Sequence, residues 1–455
     1  MIDFEQFTKY SKPGPRYTSY PTAPEFDDSF GAGDYETILK GQDKNRKLSI
    51  YAHMPFCRSA CYFCGCNVVF TSKEEKKERY IEYLTKELAI LSRSLDTSRE
   101  VLQLHFGGGT PTFFNAAQLQ RIIKAIFSTF PHKAQNAEIS CEIDPRFLDE
   151  EQMDVLSSNG FNRISFGVQD FDPRVQEEVH RLQPFEITQK AVNIARSFGI
   201  SSINMDLIYG LPYQSLETFK KTLAKSLELD IDRYAIFNYA HVPWLKKTMR
   251  KFDETTLPSP KEKLSIMRYT IDFLRSNGYE MIGMDHFAKP KDELFLAIEK
   301  GELHRNFQGY TTKGGADLIG VGLTSIGEGE RHYVQNFREM SQYEEAIDSG
   351  KLPVMRGLGL SDDDVLRKAV IMEMMSNFKL NIKNIEQRFG IDFFSYFKDE
   401  LKALEVFEKE GLVSIEREFL HTTATGALLI RNICMPFDAY LKRTPEELRR
   451  FSKTV

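Results

Sequence analysis

The run LSIYAHMPFCRSACYFCGC, residues 48–66, decides how the rest of the chain is read. LSIYAH (48–53) has the composition of a short buried strand, and it ends just before a loop rich in cysteine. Downstream, SKEEKKERYIEYLTKELAIL (72–91) has helical spacing of charged and apolar residues, and VLQLHF (101–106) alternates like a second strand. AEISCEI (137–143), NRISFGV (162–168), SSINMDLIYG (201–210), RYAIF (233–237) and YEMIGM (279–284) continue the series. Helical patterns such as PFEITQKAVNIARSFG (184–199) and SPKEKLSIMRYTIDFLRSNG (259–278) separate most of them. Repeated strand–helix units imply a parallel sheet, and this many in series predict an α/β fold of the full or partial (β/α) barrel type. In such a fold chemistry gathers at the C-terminal ends of the strands, which is where the cysteine loop falls.

That loop places Cys57, Cys61, Cys64 and Cys66 close together, while Cys141 and Cys434 are isolated and read as small buried residues. A secreted disulfide framework spreads its cysteines along the chain, whereas a tight group points to metal or redox chemistry. Gaps of three and two residues let one loop present thiolates to three corners of a cubane iron–sulfur cluster, and Cys66 is poorly placed for the fourth. Three thiolates leave one iron open to a small molecule, unlike a ferredoxin-type carrier. A structural zinc site is the rival reading, but it calls for a second cysteine pair that is absent here.

HFGGGTPT (105–112) follows the second predicted strand. Its glycines allow close backbone approach, and their N–H groups are candidates to meet a polar or anionic group; a sharp turn is the plainer reading. Glu142 and Asp144 end the third strand, Gln169 and Asp170 the fourth, and Asp206 the fifth, so together they predict a polar ring. His53, His105, His241 and His286 sit near strand ends as either structural or catalytic residues, and Trp244 reads as packing.

At 455 residues the chain predicts two or three domains. The expected division is a loop-rich extension over 1–45, broken by Pro13, Pro15, Pro21 and Pro24; a barrel over 46–356; and a small, mainly helical domain over 357–455. In the last, 360–378, 382–390 and 393–407 read as helices, 411–423 as a hairpin and 424–441 as a further helix, a winged-helix-like order. Its mixed charges carry no basic stripe, so a lid or packing role is expected rather than DNA binding. The net charge of −5 gives no pull toward nucleic acid or anionic membrane. MIDFEQFTKY has no apolar run of a signal peptide, and no stretch is long and apolar enough to span a membrane. The expectation is a cytoplasmic monomer.

The cysteine spacing resembles that of the radical S-adenosylmethionine (SAM) superfamily. The resemblance implies that Cys57, Cys61 and Cys64 ligate a 4Fe–4S cluster whose open iron chelates SAM, that Phe63 packs near the adenine with Gly65 beside it, and that the glycine run meets the SAM amino group. A closer resemblance covers nearly the whole chain and is to the oxygen-independent coproporphyrinogen III oxidase family. It is carried by GPRYTSYPTA (14–23), YAHMPFCRSACYFCGC (51–66), LHFGGGTPT (104–112), EIDPR (142–146), GVQDF (167–171), DLIYGLP (206–212), FNYAHVP (237–243), GMDHFAKP (283–290), NFQGYTT (306–312) and RNICM (431–435). Shorter relatives such as haem chaperones share the barrel and cysteine loop but lack the first of these and the QGYTT segment.

This resemblance implies that Tyr51, Gly108, Glu142 and Ile326 surround the cleaved SAM, with Tyr51, Glu142 and Gln308 catalytic. Gly109, Thr110, Gln169, Arg181, Asp206 and Ala240 are implied to line a second SAM site, and Cys66 to be a non-ligating cysteine. Departures from the family pattern are Phe106, where tryptophan is common, and the loop Gly327–Glu330 beside Ile326. The implied reaction is oxidative decarboxylation of two propionates of coproporphyrinogen III to vinyls. It requires an electron donor such as a flavodoxin or ferredoxin and an electron acceptor. Arg16, Arg163, Lys289 and Arg305 are candidates for the substrate carboxylates, with surface solubility as the plainer reading, and the lead and C-terminal domain are expected to cover the barrel mouth. The alternatives are a related radical SAM enzyme acting on a tetrapyrrole, or a haem chaperone.

Overall fold

Every strand predicted between residues 48 and 237 is present in the computed structural model, which describes residues 9–443, 445, 451, 452 and 454. The polar start MIDFEQFT lies outside the described residues. Two compact units are found: one comprises Phe26–Thr270 and Gly315–Gly359, the other Met1–Glu25, Ile271–Gly314 and Leu360–Val455.

The first unit is built on strands β1 (Leu48–Met54), β2 (Val101–Gly108), β3 (Lys133–Ile143), β4 (Arg163–Gln169), β5 (Ser202–Tyr209) and β6 (Arg233–Asn238), which lie side by side in sequence order and run parallel. On the other side of β1 lies β7 (Asp317–Val321), also parallel. Strands β8 (Ile326–Glu328), β9 (His332–Asn336) and β10 (Val354–Gly359) then continue antiparallel from β7. The sheet is therefore a partial (β/α) barrel with an antiparallel extension.

Helix α1 (Ala32–Gly41) precedes the sheet, inside the stretch expected to be loop. Helices α2 (Glu74–Leu91), α3 (Ala116–Thr129), α4 (Glu150–Ser158), α5 (Phe185–Ser197) and α6 (Leu216–Leu227) connect successive strands from β1 to β6, and α7 (Met340–Asp348) joins β9 to β10. Their starts are written locally: Asn115, Asp149 and Ser215 each accept an N–H from the third residue of the following helix. β1 lies between neighbours on both sides and buries every residue except the half-buried Tyr51, as an inner parallel strand must. The C-terminal ends of β1 to β5 thus share one edge of the sheet.

In the second unit the predicted strand at 279–284 is only Glu280–Met281, and it turns back on His286–Ala288 as an antiparallel pair. Gly283 makes that turn possible, because a Cβ there would sit 2.5 Å from the Tyr310 ring. A further hairpin pairs His304–Asn306 with Gly309–Thr311, turning at Gly309 with φ of 127°. Helices Asp362–Asn377, Ile382–Phe389 and Lys398–Lys409 match the pattern, as does the pair Val413–Ile415 and Phe419–Thr422, to which Lys379–Asn381 adds a third strand. The helix expected over 424–441 is interrupted: Ala424–Leu428 and Ile430–Cys434 are short, and Met435–Phe437 is a 3-10 turn where Pro436 removes an N–H. Among the described residues no helix is long and apolar enough to cross a membrane.

Candidate active site

The cysteine loop leaves β1 and is sewn to the glycine run that leaves β2. Gly109 N–H donates to Met54 O at 2.7 Å and Thr110 N–H to Phe56 O at 2.9 Å. Gly108 N–H donates to Glu142 Oε2 at 3.1 Å. The N–H groups of Gly109 and Thr110 are therefore spent on backbone carbonyls, while that of Gly108 meets the Glu142 carboxylate. The need for glycine is steric: a Cβ on Gly107 would lie 2.9 Å from the Glu142 carboxylate, one on Gly108 2.4 Å from the His53 ring, and one on Gly109 2.7 Å from Phe56 O. Gly108 also has φ of 108°, where a side chain is strained.

A polar chain crosses the ends of β1, β2 and β3. His53 Nε2 is 3.1 Å from the Asn67 carbonyl, which only accepts, so its proton sits there and Nδ1 accepts from the Tyr51 hydroxyl at 3.0 Å. Burial holds His53 down at about 4, keeping it neutral. Tyr51 stacks on His105 with ring centres 5.9 Å apart. His105 reaches Ser140 Oγ at 2.6 Å through Nδ1 and Glu142 Oε1 at 3.4 Å through Nε2. Burial opposes ionisation of Glu142, but His105 and the Gly108 N–H outweigh it and hold the carboxyl below its ordinary range. With its side chain 45% exposed, Glu142 presents an ionised carboxylate at the strand ends.

Around the thiols, Cys57 Sγ lies 3.4 Å from Thr110 Oγ1, and Cys66 N–H donates to Cys64 Sγ at 3.4 Å. Burial pushes the Cys57 thiol up to about 12, while hydrogen bonding from Cys66 pulls Cys64 down. Arg181 Nη1 donates to Cys61 Sγ at 3.5 Å and to Asp144 Oδ2 at 2.9 Å. Arg146 Nη2 donates to the same Asp144 oxygen at 2.7 Å and reaches Cys61 Sγ at 3.9 Å. Burial would raise the Asp144 carboxyl, yet Arg181 and Arg146 hold it low, so it is a buried bracket for two arginines and not an exposed acid of the polar ring. The donor set fits an iron–sulfur cluster: three thiols on one loop, with two guanidiniums aimed at one of them to stabilise sulfur-borne negative charge.

Gln169 ends β4 with φ of 75°, uncommon for a residue with a side chain. A Cβ on Gly167 would lie 3.0 Å from Gln169 Nε2 and 3.4 Å from Arg181 Nη2, so both polar groups gather over that glycine. Arg181 Nε is shielded from solvent and has no protein partner. Asp206 accepts from Ser165 Oγ at 3.0 Å and Asn204 Nδ2 at 2.7 Å at the next strand. Ala240 is half-buried after β6, beside Tyr239, whose hydroxyl meets His241 Nδ1 at 2.9 Å. Phe63 packs on the apolar group of Val175, Leu211, Tyr239 and Phe252, and Gly65 is exposed.

Three other expectations are corrected. Asp170 is 1% exposed and tied to Thr222, Gln214 and the Asp172 N–H, so it is structural. Arg163 starts β4 and pairs with Glu138 at 2.7 Å, at the opposite end from the chemistry. Trp244 is 57% exposed and not packed. Cys141 and Cys434 are buried, as expected. Gln308, Arg16, Lys289, His286 and Arg305 belong to the second unit.

One group was not foreseen. Glu87 on α2 accepts from Tyr343 Oη at 2.6 Å, Gly322 N–H at 2.7 Å and Asn336 Nδ2 at 2.7 Å. Tyr80, on the same helix, donates to His53 O at 2.6 Å and accepts from Leu323 N–H at 3.2 Å. Together they hold the segment from Gly322 to Ile326, in which Thr324 has φ of 60°. The available signal was an acid at apolar spacing: Tyr80, Leu84, Glu87 and Leu91 share one face of α2.

Comparison with known proteins agrees with this geometry. The radical SAM superfamily matches residues 51–225, and the HemN C-terminal domain matches residues 360–429. The chain is 57% identical to the oxygen-independent coproporphyrinogen III oxidase of Helicobacter pylori strain J99, over 100% of this chain and 99% of that protein. The chain belongs to the oxygen-independent coproporphyrinogen III oxidase family. The Escherichia coli K12 member is 45% identical over 100% of this chain and 98% of that one. The solved structure of the E. coli coproporphyrinogen III oxidase HemN, described as a radical SAM enzyme, superposes with a TM-score of 0.92 at 44% identity, covering 96% of this chain and 99% of that one. As a radical SAM oxidase, the protein uses a 4Fe–4S cluster and SAM.

Proposed function

We propose that the chain converts coproporphyrinogen III to protoporphyrinogen IX by oxidative decarboxylation of two propionate side chains, a step of haem biosynthesis without oxygen. The observation that carries this is the strand-end assembly itself. Three thiols on a loop locked to Gly109 and Thr110 adjoin the Tyr51–His105–Glu142 chain, in a protein that aligns end to end with this oxidase family.

Cys57, Cys61 and Cys64 hold the cluster in this reading, and Arg181 and Arg146 offset charge at Cys61. When bound, the cluster and SAM supply a one-electron reductive cleavage that yields a hydrogen-abstracting radical. Glu142, ionised and anchored by Gly108, accepts from hydroxyl or ammonium donors of SAM. Tyr51 orients that site with its hydroxyl committed to His53. Phe63, Gly65, Gly108 and Ile326 shape the same cofactor site, and Gly109, Thr110, Gln169, Arg181, Asp206 and Ala240 border a second SAM site. Loss of a propionate β-hydrogen, CO2 and one electron leaves each vinyl, so a separate acceptor takes that electron and a donor such as a flavodoxin or ferredoxin supplies the first. Residues 46–356 form the catalytic domain, with 1–45 and 357–455 as domains serving the substrate, and the protein works as a cytoplasmic monomer.

The test is anaerobic turnover of reconstituted protein with reductant, SAM and coproporphyrinogen III, followed by chromatography and mass analysis of the oxidised porphyrins. Protoporphyrin is expected, and C57A should abolish it. Formation of 5′-deoxyadenosine with intact coproporphyrinogen would overturn the substrate assignment, and stable haem binding without conversion would favour a chaperone.

A further inference from the structure

The second unit contains a dense group of cations. At its centre Asp285 receives Arg16 Nη2 at 3.1 Å on one oxygen and meets His286 Nδ1 at 2.7 Å on the other. Arg305 Nη1 donates to Tyr310 Oη at 2.7 Å, with its guanidinium 4.8 Å from that ring. The Tyr310 ring also meets His286 edge-on at 5.0 Å. Arg431, 7% exposed, donates to the carbonyls of Pro15, Gly14 and Ser452 among others. Asp285 feels both Arg16 and Arg305, and Arg431 is held below its ordinary value by burial and then by Arg16. Asp438 is already engaged by the Tyr17 hydroxyl and the N–H groups of Tyr440 and Leu441. Arg16, Arg305 and Arg431 thus stand close enough to act on one another and on Asp285.

The same hairpin carries two donors without a protein partner. Arg305 Nε and the Gln308 side-chain Nε2 are both shielded from solvent and make no hydrogen bond, and the Gln308 Oε1 beside it is likewise unpartnered. Gln308 sits in the turn of the hairpin, its own N–H tied to Asn306 Oδ1 at 2.8 Å, so the side chain is presented on an ordered frame. Buried donors are rarely left unmade in a native fold, and a pair of them beside these guanidiniums fits an oxyanion with two acceptor oxygens.

We propose that this group is a carboxylate-binding site that takes a propionate of the substrate, with Arg305 and Gln308 donating to its oxygens and Arg16 and Arg431 supplying charge. The inference rests on the coproporphyrinogen reading, because that substrate carries four propionates. Asp285 and His286 act by positioning Arg16, and Tyr310 by holding Arg305.

Coproporphyrin III, the oxidised and unreactive form, is the probe, titrated into the full-length protein by fluorescence beside its tetramethyl ester, which has no carboxylates. R305A and Q308A are each expected to weaken coproporphyrin binding, R305A at least tenfold, with R305K weakened less. Ester binding should be the same for all proteins. In turnover the loss should appear mainly as a higher KM for coproporphyrinogen. R305A binding coproporphyrin as tightly as the natural protein would overturn the site, as would equal losses for acid and ester. Should the natural protein fail to convert coproporphyrinogen at all, the functional reading falls, while the titration still decides the carboxylate site.

Discussion

Glu87 shows how one buried carboxylate supports a site it does not touch. It is 2% exposed and receives three donors, one of them the Gly322 N–H that anchors the segment leading to Ile326. Burial nevertheless prevails and raises its carboxyl to about 7. A carboxyl raised on folding binds its proton more tightly in the native state. Its contribution is therefore complete below the unfolded value near 4.5 and is lost as pH rises through about 7. E87Q removes this titration, although the amide must itself settle among the same donors. The stability of the natural protein relative to E87Q is expected to fall by up to about 3 kcal/mol between pH 4.5 and 7, following the shift of the carboxyl. Denaturant melts of both proteins at pH 5, 6, 7 and 8 measure it, and parallel stability curves across that range would sink the idea. Sequence reading passed over this residue because a glutamate in a charged helix reads as solvated. Only its place on the apolar face of α2 set it apart.

At the scale of strands and helices, legibility followed the length and continuity of the apolar pattern. Strands β1 to β6 were readable because buried parallel strands carry long apolar patterns and their helices begin at capping residues such as Asn115 and Ser215. Strands β8 and β9 were not, because Ile326–Glu328 is three residues long and the stretch holding β7 and β8 is interrupted by Gly320, Gly322, Gly327 and Gly329. The hairpin at 304–311 was equally hidden, each strand being three mainly polar residues. In the site, the cysteines were legible from spacing alone. Arg181 was named only by resemblance, since nothing local reveals that an arginine after β4 reaches Asp144 after β3. That link carries a prediction about how the strand ends cooperate. D144A strands Arg146 and Arg181, and removing one member of a buried ionic group costs about 3–5 kcal/mol. The variant should melt well below the natural protein and retain less iron and sulfide per chain after anaerobic reconstitution, with D144N falling between. Unchanged melting and full iron content in D144A would show that Asp144 does not organise the loop.

For the molecule as a whole, the second unit joins the two ends of the chain. Asn432 Nδ2 donates to Tyr10 O at 3.0 Å, Arg431 Nε to Pro15 O at 2.9 Å, Tyr17 Oη to Asp438 Oδ2 at 3.0 Å, and Ala439 N–H to Tyr20 Oη at 3.1 Å. The part of the lead over residues 9–23 thus has little structure of its own and borrows its order from residues 431–439. Closing a loop of this length is entropically unfavourable, so the contacts at its two ends must offset that cost. Arg431 is the central one because Gly14 and Pro15 are buried and their carbonyls take its guanidinium. R431M keeps the apolar stem but leaves those carbonyls without their donor, at roughly 1–3 kcal/mol each. The lead should then open locally before the barrel does. Limited proteolysis should cut R431M between residues 9 and 23 at least tenfold faster than the natural protein, while fragments spanning 48–238 survive equally in both. Equal cleavage of the lead in the two proteins would mean that the rest of the lead's contacts suffice without Arg431. Uniform sensitivity along the R431M chain would instead place its role in the stability of the whole fold.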